Sequence, residues 1–121
     1  MKYVPVEDDI KCSDIFHYLL DLNELDMKVY RHLSTDTKRA DEIAEKIGKD
    51  RSTIHRSLQK LISCGLCKRE RHLLDGGGHY YVYTAVPPEI VKKMVKSCID
   101  SWYENMNDAL KHFDDEFFSE K

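Results

Sequence analysis

The sequence predicts a mainly α-helical chain carrying one small β-hairpin. Three observations predict it. Apolar residues recur at helical spacing in four successive stretches up to Leu66. Period two then takes over from Leu66 to Thr84, across a Gly-rich turn. Beyond Pro87 and Pro88 an apolar stripe runs at steps of mostly three and four as far as Phe117. Helix, turn, helix and hairpin in series give the winged helix-turn-helix outline, followed here by a long C-terminal dimerisation helix. Residues 1–86 form the winged domain with an N-terminal extension, and residues 87–121 the long helix. A chain of 121 residues can bury one modest core.

Each element has a local reason. Residues 1–11 read as extended or loosely ordered. Ser13 and Asp14 can cap a helix over 14–20. Asn23 caps a second over 24–34, with Leu25, Val29, Tyr30 and Leu33 on one face. Residues 34–38 are turn-rich. Ala40, Ile43, Ala44 and Ile47 mark the next helix, and Gly48 stops it. Asp50 caps a third core helix and its exit over 52–66, with Ile54, Leu58, Leu61 and Ile62 buried and Gly65 as its stop. Leu66–His72 is one strand, Asp75–Gly78 the turn, and His79–Thr84 the second strand, rich in strand formers.

The last helix is expected to run unbroken over 88–118, about 45 Å at 1.5 Å per residue. Val91, Val95, Cys98, Trp102, Met106, Ala109, Phe113 and Phe117 form its stripe. A small domain cannot cover so long an apolar face. A second copy of the chain is the expected partner, since two-fold pairs are the commonest solution. The alternative folds the helix back over its own domain.

The net charge of −3 argues against a nucleic-acid partner until it is divided. Residues 1–34 carry four basic and seven acidic side chains, and residues 87–121 five and eight. Between Lys46 and His72 eight basic residues face only Asp50 and Glu70, a local +6. A basic surface between acidic flanks is the footprint of a nucleic-acid reader. A plainly solvated helical face is the competing explanation.

Here the residues resemble a known family. Asn23-Glu24-Leu25-Asp26-Met27-Lys28-Val29-Tyr30 looks like the first helix of TrmB-type archaeal winged-helix regulators. Ala40-Asp41-Glu42-Ile43-Ala44 and Arg51-Ser52-Thr53-Ile54-His55-Arg56-Ser57-Leu58-Gln59-Lys60-Leu61 resemble their second and third helices. Tyr80-Tyr81-Val82-Tyr83-Thr84-Ala85-Val86-Pro87-Pro88-Glu89 is similar to their exit from the wing. The resemblance spans about residues 13–118. It implies a transcriptional regulator that binds double-stranded DNA as a homodimer. Larger members carry a C-terminal sugar-binding domain. This chain stops at the long helix, so no sugar ligand carries over and the effector is unknown. Asp50 stands where the family often has Pro, and caps the helix equally well.

On that reading the third core helix enters the major groove by its N-terminal half. Arg51, Ser52, Thr53, His55 and Arg56 lie there. Arg can bond guanine bidentately, and Ser or Thr can bond several base edges. Arg51 can equally reach a phosphate, and His55 can be partly buried instead. Lys60, one turn on, is expected at backbone phosphate, as are Lys38 and Arg39 ahead of the preceding helix. Arg69 and Arg71 share one face of the hairpin, with His79 across the turn. Such a face lies along the minor groove or its phosphates, or is simply solvated. Leu73 and Leu74 are odd there, and packing on a dimer partner would explain them.

Cys64 and Cys67 form a Cys-Gly-Leu-Cys pair, which invites a metal or redox reading. No second pair with ligand spacing exists, and the setting between helix and strand is wrong for a thioredoxin-like motif. No metal, cofactor or catalytic constellation is expected, so the chain is not read as an enzyme. A winged helix serving protein–protein contact is the second functional class. No stretch reads as a membrane span or signal peptide, so a cytoplasmic protein is expected.

Overall fold

A computed structural model describes residues 10–36 and 38–118. The expected loose stretch at 1–11 falls almost wholly outside the described residues, as does Thr37 in the expected turn. α1 spans Cys12–Leu20, starting two residues before expectation. Asp14 is therefore not its cap; it sits in the first turn and accepts from the Lys11 N–H at 3.0 Å. α2 spans Glu24–Thr35 and opens at Asn23 as expected. The Asn23 side chain accepts from the Asp26 N–H at 2.8 Å, and Asp26 accepts from the Asn23 N–H at 3.0 Å. That reciprocal box satisfies two donors the helix would otherwise leave orphaned.

α3 spans Ala40–Ile47 and ends on Gly48 at φ +83°, a left-handed cap that costs glycine little. Lys49 and Asp50 complete the turn. α4 spans Arg51–Ser63, with Asp50 accepting from the Thr53 N–H at 2.8 Å. The helix is shorter than the 52–66 expected with its exit. Cys64 caps it, and Gly65 at φ +80° lets the chain leave.

β1, Cys67–Leu73, and β2, His79–Ala85, pair antiparallel from Cys67 opposite Ala85 to Leu73 opposite His79. The sequence reading missed one partner. Lys38 bridges Tyr83, with N–H to O distances of 3.0 and 2.7 Å in the two directions. A single bridge has no periodicity, so no pattern betrays it. It anchors the lead into α3 directly on β2.

The core lies where α2, α3 and α4 meet the hairpin. Val29, Leu33, Ile43, Ile54, Leu58, Leu61 and Leu66 are buried. Each such side chain contributes about 1.5–3 kcal/mol by leaving water. The buried Tyr30 hydroxyl donates to the Val86 carbonyl at 2.9 Å and ties α2 to the hairpin's exit.

The chain divides into two units at Pro87. In the second, α5 spans Pro88–Lys111 and α6 spans Phe113–Phe117. The expected single helix over 88–118 is thus broken at His112, which sits at φ −100° and ψ 12°. Asp114, Asp115 and Glu116 explain the break. Acids are disfavoured in a last helical turn and favoured in a first one, so a restart gives them an N-terminus. The restart also gathers Phe113, Phe117 and Phe118, with ring centroids 5.2 and 5.4 Å from Phe113.

Candidate nucleic-acid interface

α4 turns its first two turns outward because Ile54, Leu58 and Leu61 face the core at helical spacing. Arg51, Ser52 and Arg56 are exposed, and Thr53 and His55 half-buried. Arg56 Nη2 reaches back to Thr53 Oγ1 at 3.3 Å. Hydrogen bonds from Thr53, first side chain and then backbone, hold the Asp50 carboxyl below its ordinary range. A negative charge therefore sits at the mouth of α4, and the charges of Arg56 and Lys49 act on it.

The hairpin register places Arg69, Arg71 and His79 on one strand face with Tyr81 and Tyr83. The Arg69 guanidinium lies 4.2 Å over the Tyr81 ring. That of Arg39, from the lead into α3, lies 4.6 Å over Tyr80. Such contacts hold an exposed guanidinium in place for about 0.5–1 kcal/mol each. His79 meets Tyr81 edge-on at 5.3 Å, and His55 meets Tyr83 edge-on at 6.5 Å. Arg39, Arg51, His55 and His79 thereby line one open hollow, floored by tyrosines, with Asp41 at its rim.

Two expected phosphate readers are engaged elsewhere. Lys60 Nζ lies 2.5 Å from Oδ2 of the buried Asp26. Asp26 also accepts from the Ser57 hydroxyl, so one carboxylate joins α2 to α4. Lys38 Nζ donates to the His32 carbonyl at 2.8 Å, near the C-terminal end of α2. Arg39 Nε stands 3.7 Å from Asp41.

Tyr80, Tyr81 and Tyr83 were missed as site residues; they read only as strand formers. Tyrosines set opposite Arg71 and Arg69 across a hairpin were the available signal. Tyr83 is 1% exposed. Its buried hydroxyl donates to no acceptor among the described residues, and the Arg69 guanidinium acts on it. Burial pushes its pKa up, against the pull of the Arg69 charge.

The cysteines are free thiols. Burial pushes Cys67 up to about 11 and raises Cys64 as well. Thiolate is the form that binds metal and reacts, so burial works against both roles. Among the described residues no cluster of three or more His, Cys, Asp or Glu is placed to hold a metal. No described helix is long and apolar enough to cross a membrane. In the second unit Ile90, Ile99, Met106, Leu110, Phe113 and Phe117 are exposed, while Val95 and Trp102 are half-buried.

Comparison with known proteins fits this arrangement. The profile described as "Sugar-specific transcriptional regulator TrmB" matches residues 18–89. An uncharacterized protein of Methanocaldococcus jannaschii is 43% identical over 82 residues, covering 67% of this chain and 62% of its own length. The chain thus spans less than two thirds of that relative. A second uncharacterized protein of the same organism is 32% identical over 114 residues, covering 93% of this chain and 89% of its own. A solved structure of a possible transcriptional regulator from Methanosarcina mazei Go1 superposes with a TM-score of 0.76. It is 24% identical and covers 85% of this chain and 88% of its own, which speaks for the fold. Profile, relatives and winged-helix architecture together make this chain a member of the TrmB family of transcriptional regulators.

Proposed function

We propose that the protein is a sequence-specific regulator that binds double-stranded DNA as a homodimer. The observation that carries this reading is the exposed start of α4, where Arg51, Ser52 and Arg56 stand beside a hairpin face bearing Arg69 and Arg71. α4 enters the major groove, and Arg51, Ser52, Thr53, His55 and Arg56 supply its donors to bases and flanking phosphates. The hairpin rests on the adjacent backbone or minor groove. Arg39, Arg69, Arg71 and His79 set affinity there, not sequence choice. Lys38 and Lys60, held by His32 and Asp26, hold the scaffold in place.

Dimerisation is assigned to α5 and α6. An apolar stripe from Val91 to Phe117 with so much of its length exposed in one protomer calls for a second copy. Two heads related by a two-fold axis read half-sites about 34 Å apart, so the operator is a near-palindrome. Selection of bound duplexes from a random pool tests this. A conserved pair of half-sites one helical turn apart is the expected result; recovery of no enriched sequence would sink it.

One observation favours a second reading. Leu73 and Leu74 stand exposed at the hairpin tip, an unusual place for leucine beside DNA. A protein partner at that tip would account for them. Absence of duplex binding even at low salt is the outcome that would move the assignment there.

A further inference from the structure

Leu73 closes β1 with a side chain that is 76% exposed. Its place in the strand sets it apart from an ordinary surface leucine. Side chains alternate across a strand, so Cys67, Arg69, Arg71 and Leu73 share one face, with Tyr83, Tyr81 and His79 opposite them. At its base this face packs inward: Cys67 and Tyr83 are buried, and His55 of α4 meets the Tyr83 ring. Further out it is exposed at Arg69, Arg71, Leu73 and His79. The face that turns toward α4 therefore continues into two arginines and then a leucine, at steps of about 7 Å. Acid is kept off it. Glu70 lies on the other face, 3.0 Å from His72. Asp75 is the only acid between Arg71 and His79, and it stands in the turn beyond Leu73.

The tip itself is a formed turn. The Leu74 N–H donates to the Gly78 carbonyl at 3.0 Å, and the Gly77 N–H to the Leu74 carbonyl at 3.2 Å. Gly77 and Gly78 take φ of +98° and +85°, where a Cβ would be strained. Leu73 is thus presented by a paired strand end and a closed turn, in line with cations that suit a polyanion.

We propose that Leu73 is a wedge that enters the minor groove of a bound duplex, partly unstacks one base step and kinks the duplex there. The proposal rests on the DNA-binding role. Arg71 and His79 stand beside the wedge and face the negative potential of the groove. Minor-groove proteins insert leucine in this way, and the bent duplex then covers more of the protein. The step entered is a pyrimidine–purine step, because TA and CA steps unstack at least cost. The wedge gives the hairpin a part in sequence choice that its arginines lack.

The test compares the parent chain with Leu73→Ala and Leu73→Met. Leu73 is exposed, so neither substitution should move the midpoint of thermal unfolding. Energy transfer between dyes at the ends of the selected duplex reads the bend. The base analogue 2-aminopurine, placed step by step beside the α4 half-site, reads unstacking. The parent should bend the duplex by about 20° or more and raise the 2-aminopurine signal at one pyrimidine–purine step. Leu73→Ala should bind a few-fold more weakly and lose both signals. Leu73→Met, apolar and of similar volume, should keep them. An equal bend with Leu73→Ala, or a parent that binds without bending, overturns the wedge and leaves the DNA-binding role standing. A parent that binds no duplex even at low salt removes that role and the wedge with it, and leaves the tip to a protein partner. Monomers of Leu73→Ala in sedimentation, in place of a dimeric parent, would assign the leucine to a contact between copies and also overturn the wedge.

Discussion

Lys60 Nζ and Asp26 Oδ2 lie 2.5 Å apart and bind the last turn of α4 to the first turn of α2. Asp26 is 1% exposed, while Lys60 keeps a partly wet side chain. The carboxylate serves three partners at once: Lys60, Ser57 and the Asn23 N–H. Asp26→Ala is expected to cost about 2–4 kcal/mol in urea unfolding, since a capping box and a buried pair go together. Lys60→Met should also destabilise, because it leaves a buried carboxylate without its cation. The same variant should leave the salt dependence of duplex binding unchanged. A slope reduced by about one would instead return Lys60 to the phosphate contacts.

Arg51→Ala with Arg56→Ala is expected to abolish preference for the selected duplex over an unrelated one. Each bidentate contact to a base is worth about 1–3 kcal/mol of discrimination. Both residues are exposed, so stability should stay within about 0.5 kcal/mol of the parent. Anisotropy on the two duplexes measures the first effect and chemical unfolding the second. Unaltered preference would remove α4 from the role of reader.

Arg69→Ala should lower affinity evenly across sequences and flatten the salt slope by about one. Tyr81 places that guanidinium 4.2 Å over its ring. Tyr81→Phe keeps the ring and should retain affinity, whereas Tyr81→Leu should lose a few-fold. Equal binding by all three variants would show that the hairpin is solvated and idle.

Met106→Glu with Leu110→Glu places charges in the exposed run of α5. Sedimentation should show the parent as a dimer and the variant as a monomer with an intact winged domain. Loss of the two-fold pair should also weaken operator binding far more than half-site binding. A variant that remains dimeric would place the interface elsewhere.

Cys67 gives the alkaline behaviour. Its folded pKa of about 11 exceeds the ordinary 9.0 of the unfolded chain. Between those values the unfolded thiol ionises while the folded one keeps its proton, so the unfolded state binds fewer protons. Stability from this group is therefore full below pH 9 and declines as pH rises toward 11. Cys67→Ala should flatten that decline in unfolding curves taken across the interval. At neutral pH a thiol reagent should label the exposed Cys12 and Cys98 well before Cys67.

Much of the fold was legible because its signals are local. Asn23, Gly48, Asp50 and Gly65 fix helix ends through side-chain caps and left-handed turns, and each acts within a few residues. The hairpin followed from period two around three glycines. What stayed hidden was long-range. The Asp26–Lys60 pair joins residues on different helices, and a lysine one turn past the basic cluster read as another phosphate contact. The Lys38–Tyr83 bridge is one pair deep. The break at His112 escaped because the apolar stripe continues through it. The tyrosines of β2 show the same gap. Composition gave their place in a strand, and only the register gave the arginines above them.

Tyr83 is held on three sides: by Arg69 across the ladder, by Lys38 through the backbone bridge, and by the His55 ring. Hairpin, turn and α4 thereby meet at one residue, and the arrangement sets how far the α4 arginines stand from the hairpin arginines. That spacing acts as a ruler for a duplex bound to both. A duplex bound to both must bring its groove width to that ruler, and sequences that deform cheaply will do so at lower cost. On the proposed DNA-binding role, base pairs that no side chain touches would then enter the choice of operator.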